Sequence, residues 1–187
     1  GDDTITGGDG DDTLEGGKGK DTLNGGSGAD TYFYEATTDG STTPGSGDVI
    51  ATANFVSGTD EFVFKGSVFG DGGLFGTVSI TDVPFGFSLF TNLKTAANTD
   101  REAYFVELTG STLNATVFNL IDTKVAAGSA AAGKGFIIVD NGTNTKILFD
   151  PDFSDPTAGS LSVGGAGFSL TANAGHTIGI ANLGAGT

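Results

Sequence analysis

The chain contains no cysteine, methionine or tryptophan, and it has a single histidine among its 187 residues. The absence of cysteine excludes disulfides and thiolate metal sites, so an extracellular protein of this composition needs another means of stabilisation. His176 has no second histidine with which to form a zinc or acid–base pair. No G-x-S-x-G or H-E-x-x-H motif occurs. We therefore expect the chain not to be an enzyme.

Basic residues are also scarce, with 8 lysines and arginines against 23 aspartates and glutamates and a formal net charge of −15. Such a surface repels nucleic acid and anionic lipid, and it favours divalent cations. No apolar run approaches the length of a membrane span, and no signal peptide is visible at the N-terminus. We therefore expect neither nucleic acid nor a membrane span.

What the sequence does have is a nine-residue pattern that occurs four times at its start. The pattern reads G-G-x-G-x-D-x-U-x, where U is large and apolar, and it covers residues 1–6 (without its first three positions), 7–15, 16–24 and 25–33. Glycine, aspartate, threonine and the apolar residue all keep the same phase. A disordered acidic linker is the alternative for a stretch rich in glycine and aspartate, but it has no reason to hold four positions in phase.

Each repeat divides into a turn, GGxGxD, and a three-residue strand. Glycine permits positive φ and close backbone approach, so the carbonyl oxygens of a tight turn can point inward. Calcium takes six to eight oxygen ligands from carboxylates and carbonyls. One turn supplies a single aspartate and a few carbonyls, about half of that shell, and a second turn stacked on the first completes it. The repeats therefore predict calcium sites between stacked turns.

The strand part of each repeat places one side chain inward and its neighbours outward. Ile5, Leu14 and Leu23 hold the inward position and form the spine of a narrow core. The threonine that precedes each of them suits an outward-facing strand position.

The segment 1–33 resembles the β-roll of the RTX (repeats-in-toxin, hemolysin-type calcium-binding) family, whose signature is this nonapeptide. The resemblance implies that like turns stack two repeats apart, so that Asp3 shares an ion with Asp21 and Asp12 shares one with Asp30. It thus implies about two calcium ions. The chain departs from a fully acidic fifth position, which reads Asp2, Asp11, Lys20 and Ala29.

A second, looser match follows the repeats. RTX proteins often continue with D-x-I-x-x-F-x-x-G-x-D, and Asp48, Ile50, Phe55, Gly58 and Asp60 fit it. In relatives these acids can join a calcium site at the base of the roll. The alternative is that Asp48 and Asp60 merely lie in turns.

The predicted metal-site residues share two features: they are aspartates of the turns or glycines whose backbone the turns require. They are Gly1, Asp3, Gly8, Gly10, Asp12, Gly17, Gly19, Asp21, Gly26, Gly28, Asp30, Asp48 and Asp60.

The rest of the chain reads as β-strand nearly throughout. Short β-branched and aromatic runs occur at 78–81, 87–93, 103–108, 115–121, 167–171 and 177–183, and 136–140 with 145–150 forms the best hairpin candidate. Only 92–98 and 122–132 are candidates for helix.

The phenylalanines, 15 in all, are expected in the core rather than on a ligand-binding surface. Asp150, Asp152 and Asp155 are either a further cation site or an acidic surface loop.

We therefore predict an all-β fold with a calcium-binding parallel β-roll at 1–34, closed by the strand TYFY (31–34). A β-rich capping domain, either a sandwich or a continuation of the roll, follows at 35–187. The sequence begins in mid-repeat, so we expect the C-terminal region of a longer polypeptide.

Two functions fit this organisation. The first is a non-catalytic, calcium-triggered folding and assembly region of a secreted or cell-surface RTX protein, similar to an S-layer or adhesin subunit. The second is the export-and-folding tail of a secreted hydrolase whose catalytic domain lies upstream. Either implies type I secretion to the exterior of a Gram-negative-type bacterium, and the first implies a homo-oligomer or surface lattice as partner. Glycan binding by 74–187 is a weaker alternative that needs an exposed aromatic cluster.

Overall fold

The computed structural model describes residues 1–40, 47–51, 55–56, 59–69, 78–81, 91–92, 101–107, 134–141, 143–151, 161–166 and 177–181. Thirteen strands and one short helix lie in these ranges. The strands are β1 (Thr4–Asp9), β2 (Thr13–Leu14), β3 (Thr22–Ser27), β4 (Thr31–Tyr34), β5 (Val49–Ile50), β6 (Glu61–Phe64), β7 (Val78–Thr81), β8 (Thr91–Asn92), β9 (Arg101–Glu107), β10 (Lys134–Asp140), β11 (Thr145–Asp150), β12 (Leu161–Ala166) and β13 (Thr177–Ala181). The helix, α1, is Gly66–Phe69.

These strands form two sheets. The larger has the order β1-β3-β5-β12-β11-β10-β9-β8, and the smaller has the order β2-β4-β6-β13-β7. Successive strands of the repeats alternate between the two sheets, as they must when each turn reverses the chain from one sheet to the other. The predicted all-β class is confirmed.

The repeats coil as a parallel roll with a period of two nonapeptides. β1 pairs in parallel with β3, with Ile5 opposite Leu23, and β2 pairs in parallel with β4, with Leu14 opposite Tyr32. Residues 18 apart therefore lie side by side, as the RTX resemblance implies. This register puts equivalent positions of alternate repeats on top of one another.

The strand β4 does not close the roll. β5 joins β3 in parallel with Ile50 opposite Leu23, and β6 joins β4 in parallel with Phe62 opposite Tyr32. A third coil therefore follows the last nonapeptide although its sequence has lost the repeat spacing. Beyond it, β12 pairs with β5 and β13 with β6, both in parallel. Both sheets thus run from the repeats into the later strands, and the predicted domain boundary after residue 34 stays a prediction.

The core lies between the two sheets and is rich in aromatic side chains. Leu14, Leu23 and Ile50 continue the apolar spine of the repeats, while Ile5 at the first coil is only partly buried. The phenylalanines buried among the described residues are Phe55, Phe62, Phe64, Phe69, Phe136 and Phe149. For these six, the prediction that phenylalanine belongs to the core is confirmed.

The other strand predictions divide into two groups. The hairpin is confirmed, since β10 and β11 pair in antiparallel fashion from Gly135–Asp150 to Asp140–Thr145. β7, β9 and β13 coincide with predicted strands, and β8 covers part of one. The predicted strands 115–121 and 167–171 and the predicted helix 122–132 lie outside the described residues, as do residues 93–98 of the other predicted helix. The sequence did not predict α1, which places Phe69 against Phe64 and Phe149.

Candidate calcium sites

The turns of the roll depend on two glycines each. Positions two and four of the repeats have positive φ at Gly8, Gly10, Gly17, Gly19, Gly26 and Gly28, with values from 76° to 139°. Residues with a Cβ rarely adopt these angles, which explains why glycine recurs at both positions. The glycines at 19, 26 and 28 also leave no space for a Cβ, because the backbone carbonyls of Gly1, Gly8 and Gly10 lie directly against them.

Like turns stack along two edges of the roll. The first edge carries the turns that contain Asp12, Asp30 and Asp60, and the second edge carries those that contain Asp3, Asp21 and Asp48. This arrangement follows from the alternation of strands between sheets, since every second turn returns to the same edge. It brings together the two predicted ligand pairs, Asp3 with Asp21 and Asp12 with Asp30.

One hydrogen-bond unit repeats at all four stacked pairs. On the second edge, Asp3 N donates to Asp21 Oδ1 (2.7 Å), and Asp21 N donates to Asp48 Oδ1 (2.9 Å). On the first edge, Asp12 N donates to Asp30 Oδ1 and Asp30 N to Asp60 Oδ1, both at 3.0 Å. In each pair the carbonyl of the earlier aspartate accepts the N–H of the residue after the later one. Asp48 and Asp60 therefore take the structural place of a repeat aspartate.

The second oxygen of these carboxylates faces inward. Among the described residues, Asp12 Oδ2, Asp21 Oδ2, Asp30 Oδ2 and Asp48 Oδ2 are buried and accept no hydrogen bond. The first glycine of each repeat adjoins this oxygen, since a Cβ at Gly16 would collide with the carboxylate of Asp21 and one at Gly25 with that of Asp30. Each carboxylate is thus folded over the start of its own turn.

Residues at the fifth repeat position form a second set of hydrogen bonds between stacked turns, on the exposed side of the roll. Asp2 Oδ1 accepts the N–H of Lys20 at 2.9 Å, and Asp11 Oδ1 accepts that of Ala29 at 2.8 Å. Because only the backbone of the later residue takes part, lysine and alanine are tolerated there. The sequence predicted no role for Asp2 and Asp11, and their recurrence at the same repeat position was the available signal.

At the second edge, residues 35–40, which follow β4, supply part of the third turn. Gly40 forms a parallel bridge with Lys18, donates its N–H to Gly17 O and accepts that of Gly19, so it occupies the third position of a repeat turn. Buried Asp39 fixes the start of this segment, since its Oδ2 accepts the N–H groups of Glu35 and Ala36. Sequence reasoning missed both residues because the glycines of the repeat turn are absent before Asp39; the available signal was that Asp39 continues the nine-residue spacing of aspartate from Asp30 to Asp48.

Asp60, at the first edge, differs from the other stacked aspartates. Its Oδ1 accepts Asp30 N, and its Oδ2 accepts Val56 N at 2.7 Å. The N–H groups of Thr59 and Asp60 in turn donate to Val56 O. Both oxygens of this buried carboxylate therefore already accept hydrogen bonds, Oδ1 from the stacked turn at Asp30 and Oδ2 from the nearby Val56.

Two tyrosines of β4, Tyr32 and Tyr34, lie near the two edges of the roll. Tyr32 OH accepts Gly25 N at 3.1 Å, and burial, opposed by this bond, raises the pKa of Tyr32 to about 12, with smaller contributions from Asp60 and Asp30. Burial also raises the pKa of Tyr34 well above its usual value; the charge of Asp48 and its side-chain hydrogen bond with Tyr34 add to this, as do the charges of Asp21 and Asp39. Each hydroxyl thus lies near the carboxylates of one edge.

Asp48 has the most perturbed carboxyl group of the turns. Burial raises the pKa of Asp48 to about 6, against the lowering effect of the hydrogen bond from Asp21 N, and the nearby charge of Asp21 raises it further. A carboxylate that is buried beside another carboxylate favours its neutral form unless a cation joins it.

Calcium fits this arrangement. Buried carboxylate oxygens without a hydrogen bond are costly unless a cation coordinates them, and they adjoin turns whose glycines bring backbone carbonyls close. No three aspartate, glutamate or histidine side chains of the described residues converge on one point. An ion would therefore take one or two carboxylates and complete its shell with carbonyls, which is the mixed oxygen set that calcium accepts.

The predicted site residues are therefore distributed as follows. Asp3, Asp12, Asp21, Asp30, Asp48 and Asp60 belong to the hydrogen-bonded stacks, and Gly1, Gly8, Gly10, Gly17, Gly19, Gly26 and Gly28 belong to the turns that carry them. Their role as ligands stays a prediction. Asp150 is buried in β11 rather than in a surface loop, and Asp152 and Asp155 lie outside the described residues.

Comparison with known protein families agrees with this geometry. Residues 1–32 match the family model of the RTX calcium-binding nonapeptide repeat, in four copies. This part of the chain is an RTX-type repeat region, and its repeats are calcium-binding. Neither the curated proteins nor the solved structures compared with the chain gave a match. Within the described part of the chain, no helix is both long and apolar enough to cross a membrane.

Proposed function

We propose that this chain is a non-catalytic, calcium-dependent folding region of a secreted or cell-surface RTX protein. Calcium outside the cell would trigger folding of the roll, and the folded roll would serve a structural or assembly role. The observation that carries the proposal is the set of buried carboxylate oxygens, Asp12 Oδ2, Asp21 Oδ2, Asp30 Oδ2 and Asp48 Oδ2, which accept no hydrogen bond from any described residue.

These oxygens support a switch because they act in opposite directions with and without the ion. Without calcium, each buried negative charge opposes folding, and the charges of one edge repel each other. With calcium, the same oxygens become ligands. The chain is therefore expected to fold only where calcium is abundant.

The concentrations of calcium inside and outside the cell suit such a switch. Extracellular calcium modules bind with Kd of about 10⁻⁴ to 10⁻³ M. At millimolar calcium and a Kd of about 10⁻⁴ M, each ion adds roughly 1.4 kcal/mol to the free energy of unfolding, and at cytosolic calcium it adds almost nothing. Stacked turns share neighbours, so these contributions should couple. The unfolded chain would then be ready for export through a type I channel, with no disulfide to obstruct it.

Circular dichroism of the full chain tests the switch. In excess chelator the β-structure signal should fall, and millimolar calcium should restore it with a sigmoidal titration curve. Magnesium at the same concentration should not restore it, because magnesium requires a smaller, near-octahedral shell. A spectrum that does not change on chelation would contradict the proposal.

A matched pair of variants tests the assignment of the sites. Asp12→Ala removes a stacked carboxylate, whereas Asp9→Ala removes an exposed carboxylate from the same repeat with the same change in charge. The calcium midpoint of folding should rise for Asp12→Ala and stay close to the wild type for Asp9→Ala. Equal shifts would mean that net charge, and not coordination, sets the midpoint.

Secretion and surface location need a separate test. Immunodetection of the protein in the cytoplasm, the medium and the cell surface of its native host should place it outside the cell. The protein released by chelator should also recover its surface association when calcium is added back. Retention of the protein in the cytoplasm would contradict an extracellular role.

A further inference from the structure

The two edges of the roll carry exposed side chains of opposite charge. In each GGxGxD turn, the third and fifth positions lie between the glycines and the aspartate that build the turn. On the first edge these positions are Asp9 and Asp11, whereas on the second edge they are Lys18 and Lys20. All four residues are exposed. Apart from its stacked aspartate, the turn 7–12 is therefore acidic and the turn 16–21 is basic.

The acidic turn and the basic turn have the same kind of backbone. The glycines at positions two and four have positive φ in both turns, 119° and 111° at Gly8 and Gly10, and 76° and 135° at Gly17 and Gly19. The third and fifth side chains therefore project from equivalent places in the two turns. The spacing of the two carboxylates can thus match that of the two amines, so that two ion pairs form together when one turn meets the other.

The two lysines have no acidic partner in the described part of their own chain. Among the described residues, the ion pair found joins Lys65 to Glu35. The backbone of Lys18 takes part in stacking, through its parallel bridge with Gly40, while the side chains of Lys18 and Lys20 extend from an exposed turn. An acidic surface of another molecule is the partner that complements them.

The surroundings of the two turns keep this contrast of charge. Burial, and then the charge of Lys20, lowers the pKa of Lys146 in β11, so this third lysine lies near the basic turn. Asp2 is the acid in the adjoining turn of the second edge, and its Oδ1 accepts the N–H of Lys20. On the first edge, the adjoining turn has uncharged, exposed Ser27 and Ala29 at the same two positions. Neither lysine nor arginine occurs in the described turns of the first edge.

We propose that the basic turn 16–21 of one copy docks on the acidic turn 7–12 of a second copy, so that folded rolls associate edge to edge. The two edges lie on opposite sides of the roll, and a copy bound through its basic edge keeps its acidic edge for the next copy. Such a heterologous contact generates rings or open chains rather than a two-fold dimer.

This assignment rests on the proposed function and deepens it, because it names the partner and the surface of the assembly role. Calcium controls the contact indirectly, since the two edges exist only in the folded roll. Exposed ion pairs contribute little individually and are screened by salt. Association of the chain in solution should therefore require high protein concentration or low ionic strength, whereas copies that are held together on one surface have a high effective concentration.

Analytical ultracentrifugation of matched variants tests the basic turn. At millimolar calcium and low ionic strength, the mean mass of the wild type should rise with protein concentration, and about 0.5 M sodium chloride should reverse this rise. Lys18→Gln/Lys20→Gln should weaken association by about tenfold. Thr6→Glu/Thr13→Glu makes the same change in net charge at exposed positions of the two sheets and should weaken it less than threefold. A monomeric wild type, or equal effects of the two double variants, would overturn the proposal.

Mixing two charge-reversed variants tests whether the two turns meet each other. Lys18→Glu/Lys20→Glu has two acidic edges, and Asp9→Lys/Asp11→Lys has two basic ones. Each variant alone should stay monomeric where the wild type associates, and their equimolar mixture should associate. Because Asp11 Oδ1 accepts a backbone N–H of the adjoining turn, Asp9→Lys/Ser27→Lys replaces the second variant if that one does not fold. A mixture that stays monomeric would overturn the proposal.

Failure of this proposal can be distinguished from failure of the proposed function by circular dichroism of the same samples. If the wild type folds on calcium addition but stays monomeric, only the docking of the two turns is wrong. If calcium does not change the fold of the wild type, the calcium-dependent folding region itself is wrong.

Discussion

At the scale of single residues, the stacked aspartates divide their two oxygens between two tasks. Oδ1 of Asp30 accepts the N–H of Asp12 and so fixes the turn of the preceding coil. Oδ2 is buried without a hydrogen bond and is left for an ion. An asparagine side chain retains the acceptor for the first task but loses the charge that the second requires.

This division predicts that Asp30→Asn acts in opposite directions with and without calcium. In chelator the variant should be more stable than the wild type by about 1–3 kcal/mol, because the buried unpaired charge is gone. In millimolar calcium it should be less stable, since a charged ligand is lost. Thermal unfolding in both conditions measures the two signs, with the exposed Asp9→Asn as control. If Asp30→Asn were also less stable than the wild type in chelator, the buried carboxylate of Asp30 would not be destabilising in the absence of calcium.

Substitution of the first glycine of a repeat is expected to affect both stability and calcium binding. A Cβ at Gly25 would overlap the carboxylate of Asp30, whereas a Cβ at Gly1 meets nothing within 4 Å. Gly25→Ala should therefore displace the carboxylate, cost about 1–3 kcal/mol by overpacking, and raise the calcium midpoint. Gly1→Ala should leave both unchanged. Chemical unfolding and calcium titration of the two variants provide the comparison, and equal midpoints would mean that the carboxylate relaxes without loss of binding.

Residue spacing explains how far the sites could be predicted. Aspartate every nine residues, together with the stacking of alternate turns that the RTX resemblance implies, was sufficient to predict the stacks of Asp3 with Asp21 and Asp12 with Asp30. The roles of Asp39, Gly40 and Tyr34 could not be predicted in this way. They depend on how the 18 residues from Asp30 to Asp48 fold, and although Asp39 keeps the nine-residue spacing of aspartate, the glycines of the repeat turn are absent before it.

At the scale of elements, β4 and β6 connect the repeats to the rest of the core. Tyr34 stacks on Phe64 at 5.1 Å between ring centroids, and Phe64 contacts Phe69 of α1 at 5.2 Å and Phe136 of β10 at 4.5 Å. A line of aromatic rings thus runs from the calcium-binding coils to the hairpin. Sequence reasoning predicted buried phenylalanines here. It did not predict the order of contacts, because α1 and the parallel pairing of β4 with β6 are set by packing between distant segments.

Removal of Phe64 tests this connection. Phe64→Ala leaves a cavity at the centre of the aromatic line and should cost about 3–5 kcal/mol of the free energy of unfolding in calcium. Phe33→Ala, a half-buried phenylalanine on β4, should cost clearly less. Because the rings link the coils to the later strands, Phe64→Ala should also raise the calcium midpoint of folding. Denaturant unfolding at fixed calcium measures the first effect, and equal costs in the two variants would contradict the central place of Phe64.

At the scale of the whole molecule, negative charge opposes the compact state. The chain carries a formal net charge of −15, and two calcium ions would bring this to −11. Monovalent salt screens exposed charges over about 8 Å at physiological ionic strength, but it screens buried charges much less. The buried carboxylates of the turns therefore remain unfavourable in sodium chloride and become favourable only when an ion coordinates them.

Small-angle X-ray scattering can separate screening from coordination. A compact chain of 187 residues has a radius of gyration of about 16 Å, and the calcium-loaded protein should approach that value. In chelator at low salt the radius should be clearly larger, because the acidic coils separate. Raising sodium chloride to about 0.5 M should contract the chelated chain only in part, since the Debye length falls while the buried carboxylates stay unligated. Full contraction in sodium chloride without calcium would show that general screening, rather than specific sites, holds the coils together.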